Sequence, residues 1–304
     1  MMRELAESLQ NRRTPFPMIH PDLPSFLSTG KAALKTGPIA LILLEDDVEI
    51  DSTIRHHLDA GFKSVVVFGV PDLTVAEDVA DQIHRVHFDM TQDDALTTAV
   101  NAVIKAAPGK WLYYCYNAEY LFFPFCEHRK IGEMLSFNAE ERRDSVLTYV
   151  IDLYTADLKA HPTAVSLEDA HLDKSGYYAL ARPAKDRDYL ERQLDFFGGL
   201  RWRFEEHVPT ERRRIDRVSL FRAKPGLKLR ANHTFNDDEY NTYACPWHHS
   251  STGAICSFRT AKALKRNPGS GYQIDTFKWH NSAPFSWHSQ QLLDLGLMEP
   301  GQWF

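Results

Sequence analysis

Apolar residues fall in blocks along the first half of the chain, and the blocks alternate between two kinds. Residues 39–44 form an unbroken apolar run that ends in the acidic cluster Glu45-Asp46-Asp47. A continuous run predicts a strand covered on both faces, as in a parallel sheet. Residues 48–60 carry Val48, Ile54 and Leu58 among Asp, Glu, Arg and His, which predicts a helix that Gly61 closes. Residues 64–68 predict a second buried strand. Strand, helix, strand is a βαβ unit, and its right-handed crossover makes the two strands parallel. The pattern continues with a short strand at 86–88, a helix at 93–107 broken by Pro108-Gly109, and a β-rich stretch at Trp111–Tyr116. A helix over 131–145 and a strand over 146–154 complete the regular part.

Beyond about residue 155 the regularity weakens into longer loops with many aromatics and a basic segment at 212–217. Residues 1–35 are polar and punctuated by Pro15, Pro17, Pro21 and Pro24, which predicts a tail or strap. With no repeat and no low-complexity linker, residues 36–304 are expected to form a single domain of the α/β class. Its sheet should be mixed and mostly parallel, flanked by helices, with an irregular C-terminal part.

Charge and cysteine content narrow the setting. Lys+Arg 35 against Asp+Glu 41 gives a net charge of −6, so no nonspecific nucleic-acid partner is expected. The longest apolar run is far short of the ~20 residues of a bilayer crossing, so no membrane span is expected. Four cysteines and no apolar leader predict reduced thiols and a cytoplasmic location. Fourteen histidines and 12 % aromatics point to a site that stacks or coordinates something.

Several motifs are missing. No Gly-x-Gly-x-x-Gly follows the first strand, no P-loop is present, and no Gly-x-Ser-x-Gly elbow occurs. What remains is acidic and aromatic. Glu45-Asp46-Asp47 lie where open α/β sheets bind ligands, able to accept from a base or ribose or to cap the following helix. Trp111 to Pro124 brings Glu119 into an aromatic run; a carboxylate delivered there can ligate Mg²⁺ or Mn²⁺, and the alternative is a core strand. Arg201 and Arg203 share a side if their segment is extended, to fork onto phosphate or to pair with Glu205 or Glu206. His233 precedes the acidic run 236–239. Cys245, His248, His249 and Cys256 only loosely match a zinc spacing. Tyr272, Phe277, Trp279, His280, Phe285, Trp287 and His288 form either a sugar-stacking wall or loop packing. Lys262, Lys265 and Arg266, with the arginines at 212–214, form either a small anion-reading patch or a solvated one.

Together these stretches resemble the glycosyltransferase family 2-like proteins of the GT-A fold. Glu45 matches the acidic end of their first strand, Gly61-Phe62 the "Gly-Phe" after the helix, and Glu119-Tyr120-Leu121 their Glu-Phe-Leu. Phe197-Gly198-Gly199-Leu200-Arg201-Trp202-Arg203-Phe204, then Arg217 to Phe221, then Asn232-His233 match a second stretch in order. The likeness covers roughly residues 38–240. The family's two aspartates of Asp-x-Asp fall on Tyr116 and Ala118, or, shifted by one residue, the segment is Asn117-Ala118-Glu119. The resemblance implies transfer of a sugar from a nucleotide-sugar donor to a glycan or other acceptor, in polysaccharide or glycan assembly. It implies donor contacts from Glu45, Asp72, Arg201, Arg203 and His233, and a divalent metal (Mn or Mg) at Glu119. A catalytically inactive nucleotide-sugar or glycan-binding protein on the same fold is the alternative that the degenerate motif leaves open.

Overall fold

A computed structural model describes residues 18–186, 188–245 and 249–303. In chain order it runs β1 (Met18–His20), α1 (Leu23–Thr29), β2 (Ile39–Leu43), α2 (Ile50–Asp59), β3 (Ser64–Gly69), α3 (Glu77–Ala80) and β4 (His84–His87). Then come α4 (Ala95–Ala106), β5 (Trp111–Tyr116), β6 (Glu119–Phe122), α5 (Ile131–Glu140) and β7 (Ser145–Asp152). The second half adds β8 (Tyr154–Thr155), β9 (Ala170–Asp173), β10 (Tyr178–Pro183), β11 (Tyr189–Phe197), α6 (Gly199–Arg203) and β12 (Asp216–Arg222). It ends with β13 (Gly253–Ser257), α7 (Arg259–Arg266), α8 (Pro268–Gln273), β14 (Ser282–Pro284) and α9 (Ser289–Asp294).

One nine-stranded sheet has the order β1-β4-β3-β2-β5-β12-β7-β13-β6. Only β12 and β6 run against the common direction. The chain is therefore α/β, with a large, mostly parallel sheet between two helical layers. The apolar runs read from sequence are the strands buried on both faces: every residue of β2 and β3 is buried. On one face Ile39, Leu41, Leu43, Tyr114 and Tyr116 pack with α1 and α4. On the other, Ala40, Ile42, Tyr113 and Cys115 pack with α2, α3 and α5. Helix α2 buries Ile50, Thr53, Ile54 and His57, the i, i+3, i+4, i+7 stripe of an amphipathic helix. Gly61 follows it with φ +96, a left-handed stop that glycine adopts at no steric cost.

Two regions depart from the sequence reading. Residues 18–35, expected to belong to a tail or strap, are built into the domain. There β1 pairs in parallel with β4, and Phe26 and Leu34 are core residues; residues 1–17 lie outside the described residues. The irregular second half also supplies β12, which inserts between β5 and β7 in the middle of the sheet. Six of its seven residues are buried, Asp216, Arg217 and Ser219 among them, so its polar side chains hid a central strand.

Candidate functional site

The strand order reverses between β2 and β5. From β2 the chain winds outward through β3 and β4, whereas β5 lies on the other side of β2. Open α/β sheets bind ligands at such a switch point, beyond the carboxyl ends of the strands. Here that edge gathers the loop after β2, the turn after β5, Asp152 ending β7 and Ser257 ending β13. Because β12 is antiparallel, its first residues, Asp216 and Arg217, arrive at the same edge.

Asn117 ties the two switch-point loops together. Its Oδ1 accepts from Glu45 N (2.9 Å), and its Nδ2 donates to Asp46 Oδ1 (2.6 Å) and Val48 O (2.9 Å). The next residue, Ala118, takes a left-handed φ of 59 and donates its N–H to Thr53 Oγ1 at 2.9 Å. The chain reverses there. Glu119 therefore does not end the aromatic strand but begins β6, which pairs antiparallel with β13.

That reversal carries Glu119 into the protein, with no exposed surface. Its Oε2 accepts from Arg217 Nη1 (2.7 Å) and Tyr116 N (2.9 Å). Its Oε1 accepts from Arg217 Nη2 (3.1 Å) and Ser257 Oγ (3.0 Å). Burial pushes the carboxyl up, but the charge and hydrogen bonds of Arg217, with Arg259 and the Tyr116 N–H, more than offset this and bring it to about 2. Each oxygen already accepts two hydrogen bonds, and the neighbouring Ala118 side chain offers no donor atom. The donor set at Glu119 therefore does not fit a divalent cation, and Glu119 is the carboxylate half of a buried ion pair.

The acids after β2 divide their roles. Asp46 turns inward and accepts from Val48 N (3.1 Å), Asn117 and Lys262 Nζ (2.9 Å). Burial raises its carboxyl, and Lys262 with these hydrogen bonds brings it below its ordinary value. Glu45 stays at the surface, bound by Arg259 through two contacts of 2.7 and 2.6 Å. The Arg259 guanidinium lies over the Tyr116 ring, 3.8 Å from its centroid. The capping expectation is not met, since α2 has Glu49 at its N-cap and no side-chain cap; Asp46 instead closes the turn before the helix, and Glu45 faces outward. Asp72 is exposed on the turn after β3, the strand adjacent to β2, at the same edge.

Arg201 and Arg203 lie on helix α6 rather than on an extended segment, so they do not share a side. Gly198 and Gly199 enter that helix with φ +156 and +63, and a Cβ at Gly199 would come within 2.9 Å of the Asp152 carboxylate. Arg201 donates to Thr260 Oγ1 (3.0 Å) and Arg214 O (2.7 Å) and faces Asp152 at 3.4 Å. Arg203 forks onto Asp173 (2.8 and 3.2 Å), donates to Phe277 O (2.7 Å) and stacks on Trp279, 4.8 Å from its centroid. Neither pairs with Glu205 or Glu206; Arg213 takes Glu205. His233 stacks on Tyr114 and shares a 3.0 Å hydrogen bond with its hydroxyl. Burial, then the charges of Arg217, Arg259, Arg201 and Arg214, hold His233 well below the ordinary histidine range.

The aromatic wall does not assemble. Phe277 and Phe285 are core residues, and Trp279 and Trp287 donate to Asp173 Oδ1 and Leu167 O. Of the loose zinc spacing, Cys245 and Cys256 are buried free thiols and His248 lies outside the described residues. An open groove of about 620 Å³ lies between Lys174, Ala283, Ser286 and α9, and none of the residues nominated for the donor lines it.

From sequence, Asn117 entered only as part of the shifted motif Asn117-Ala118-Glu119 and Arg217 only as part of a matched stretch, and Asp152 and Arg259 had no role. Two signals were present: an arginine inside an apolar strand segment, and an acid inside an aromatic one. Each demands a buried partner, and the two serve each other.

The buried histidines make stability depend on pH. Burial lowers His20, His56, His57 and His84, and takes His57 to about 3. An unfolded chain, with histidines near 6.5, binds more protons below that value, so stability is full above pH 6.5 and falls as pH drops. His57 alone should cost about 2 kcal/mol by pH 5, at ~1.4 kcal/mol per pH unit. Urea unfolding at pH 7.5 and pH 5 checks this; equal midpoints would contradict it.

No family model matches the sequence, and no curated protein matches it.

Proposed function

We propose that the chain is a GT-A-like protein that takes a nucleotide-sugar donor at the carboxyl edge of its sheet and transfers the sugar to a glycan or other acceptor. One observation carries this reading: the surface-facing acid Glu45 and the exposed Asp72 stand at the ends of adjacent parallel strands, beside the switch point. Two carboxylates so arranged can accept hydrogen bonds from the ribose and base of a nucleotide. Support also comes from the mixed, mostly parallel sheet and from the order of the motifs from Glu45 to His233.

The chemistry asked of the site is direct displacement at the anomeric carbon, with positive charge stabilising the leaving diphosphate. No step is assigned to a metal at Glu119, whose oxygens are taken by Arg217, Ser257 and Tyr116. The same fact favours a second reading, a catalytically silent binder of nucleotide-sugar. Incubation with a panel of uridine- and guanosine-diphosphate sugars separates the two. Nucleoside diphosphate released above the rate in buffer supports transfer or donor hydrolysis. Binding without release favours the silent protein, and neither binding nor release ends the proposal.

A further inference from the structure

Helix α7 presents Arg259, Lys262 and Arg266 at i, i+3 and i+7, on one face. All three reach the loop after β2, but the acids they meet are held differently. Asp46 is nearly buried and is bound by Lys262, Arg266, Asn117 and the Val48 N–H, so it belongs to the framework. Among the described residues Glu45 has a single side-chain partner, Arg259, and their side chains are 28 % and 32 % exposed. An ion pair this open adds little net stability. Besides Glu45, the Arg259 guanidinium is backed by the Tyr116 ring, 3.8 Å from its centroid.

A phosphate presents a guanidinium with the same two-oxygen geometry as a carboxylate. The geometry points to Arg259 as a phosphate clamp that Glu45 occupies until a diphosphate displaces it. Arg266, more than half exposed on the same helix face, is the second contact. Once released, Glu45 is free to accept from the nucleoside. This inference rests on the nucleotide-sugar reading and names the group that takes its diphosphate, in place of Arg201 and Arg203.

Calorimetric titration with inorganic pyrophosphate and with uridine diphosphate tests it on the full chain. Arg259→Ala should weaken both ligands by about ten- to a hundredfold, and Arg259→Lys should restore only part. Glu45→Gln should tighten pyrophosphate several-fold, because the competing carboxylate is gone. Thermal melts establish that each variant is folded, and Glu45→Gln decides the matter if Arg259→Ala is not. Unchanged or weaker pyrophosphate binding by Glu45→Gln would overturn the clamp while leaving the nucleotide site standing, provided uridine diphosphate still binds. Equal uridine diphosphate affinity in Arg259→Ala and the natural chain would also overturn it. Failure of the natural chain to bind uridine diphosphate or any other nucleoside diphosphate would overturn the donor site itself.

Discussion

Arg217→Met should destabilise the protein by about 3–5 kcal/mol, the usual cost of leaving one half of a buried ion pair without its partner. Glu119 would keep Ser257 Oγ and the Tyr116 N–H but lose both guanidinium contacts in a site closed to water. The carboxyl would then rise from about 2, since the charge and hydrogen bonds of Arg217 are the largest of the effects that oppose burial there. The double variant Glu119→Leu/Arg217→Met should recover much of the loss, because an apolar pair of similar volume carries no desolvation cost. Recovery should be partial, as the Tyr116 N–H and Ser257 Oγ lose an acceptor. Urea unfolding measures both variants. A single variant within 1 kcal/mol of the natural chain would contradict the structural role given to Glu119.

Arg203→Ala should cost about 3 kcal/mol and leave nucleotide affinity unchanged. Its guanidinium is the main cationic partner of Asp173, which is buried and also accepts from Tyr154 Oη (2.5 Å) and Trp279 Nε1 (2.8 Å). These two hydrogen bonds remain and keep the loss toward the lower end of the range for a broken buried pair. Trp279 loses its stacked cation, so its fluorescence should shift along with the melting temperature. A stable variant with weakened nucleotide binding would return Arg203 to the phosphate role that the sequence suggested.

The difference between legible and hidden features has a physical cause. Strands β2 and β3 were readable because both their faces are apolar, and Gly61 and Pro108-Gly109 marked the helix ends. The stretch Trp111–Tyr116 was read as it lies, but the chain reversal at Ala118 that follows it was not. A left-handed turn there depends on Thr53 and on the Asn117 clamp, contacts from far along the chain that no local propensity encodes. Strand β12 was hidden for a related reason. Its polar residues look solvated until Glu119, Arg182 and Arg214 are brought beside them. Glu45 and Asp72 lie at the carboxyl edge as expected, because that placement follows from strand ends alone. Arg201 and Arg203 would share a side only on an extended segment, and the glycine pair starts a helix there instead. Arg259 lies more than 200 residues from Glu45, and only the fold joins them.

The central claim is that a nucleoside diphosphate binds at the switch-point edge. Amide hydrogen exchange of the whole chain, with and without saturating uridine diphosphate, tests it most directly. The account predicts slowed exchange in residues 44–49, 70–73, 116–118 and 257–266, with little change elsewhere. Slowed exchange confined to residues 283–295, around the open groove beside α9, would contradict it.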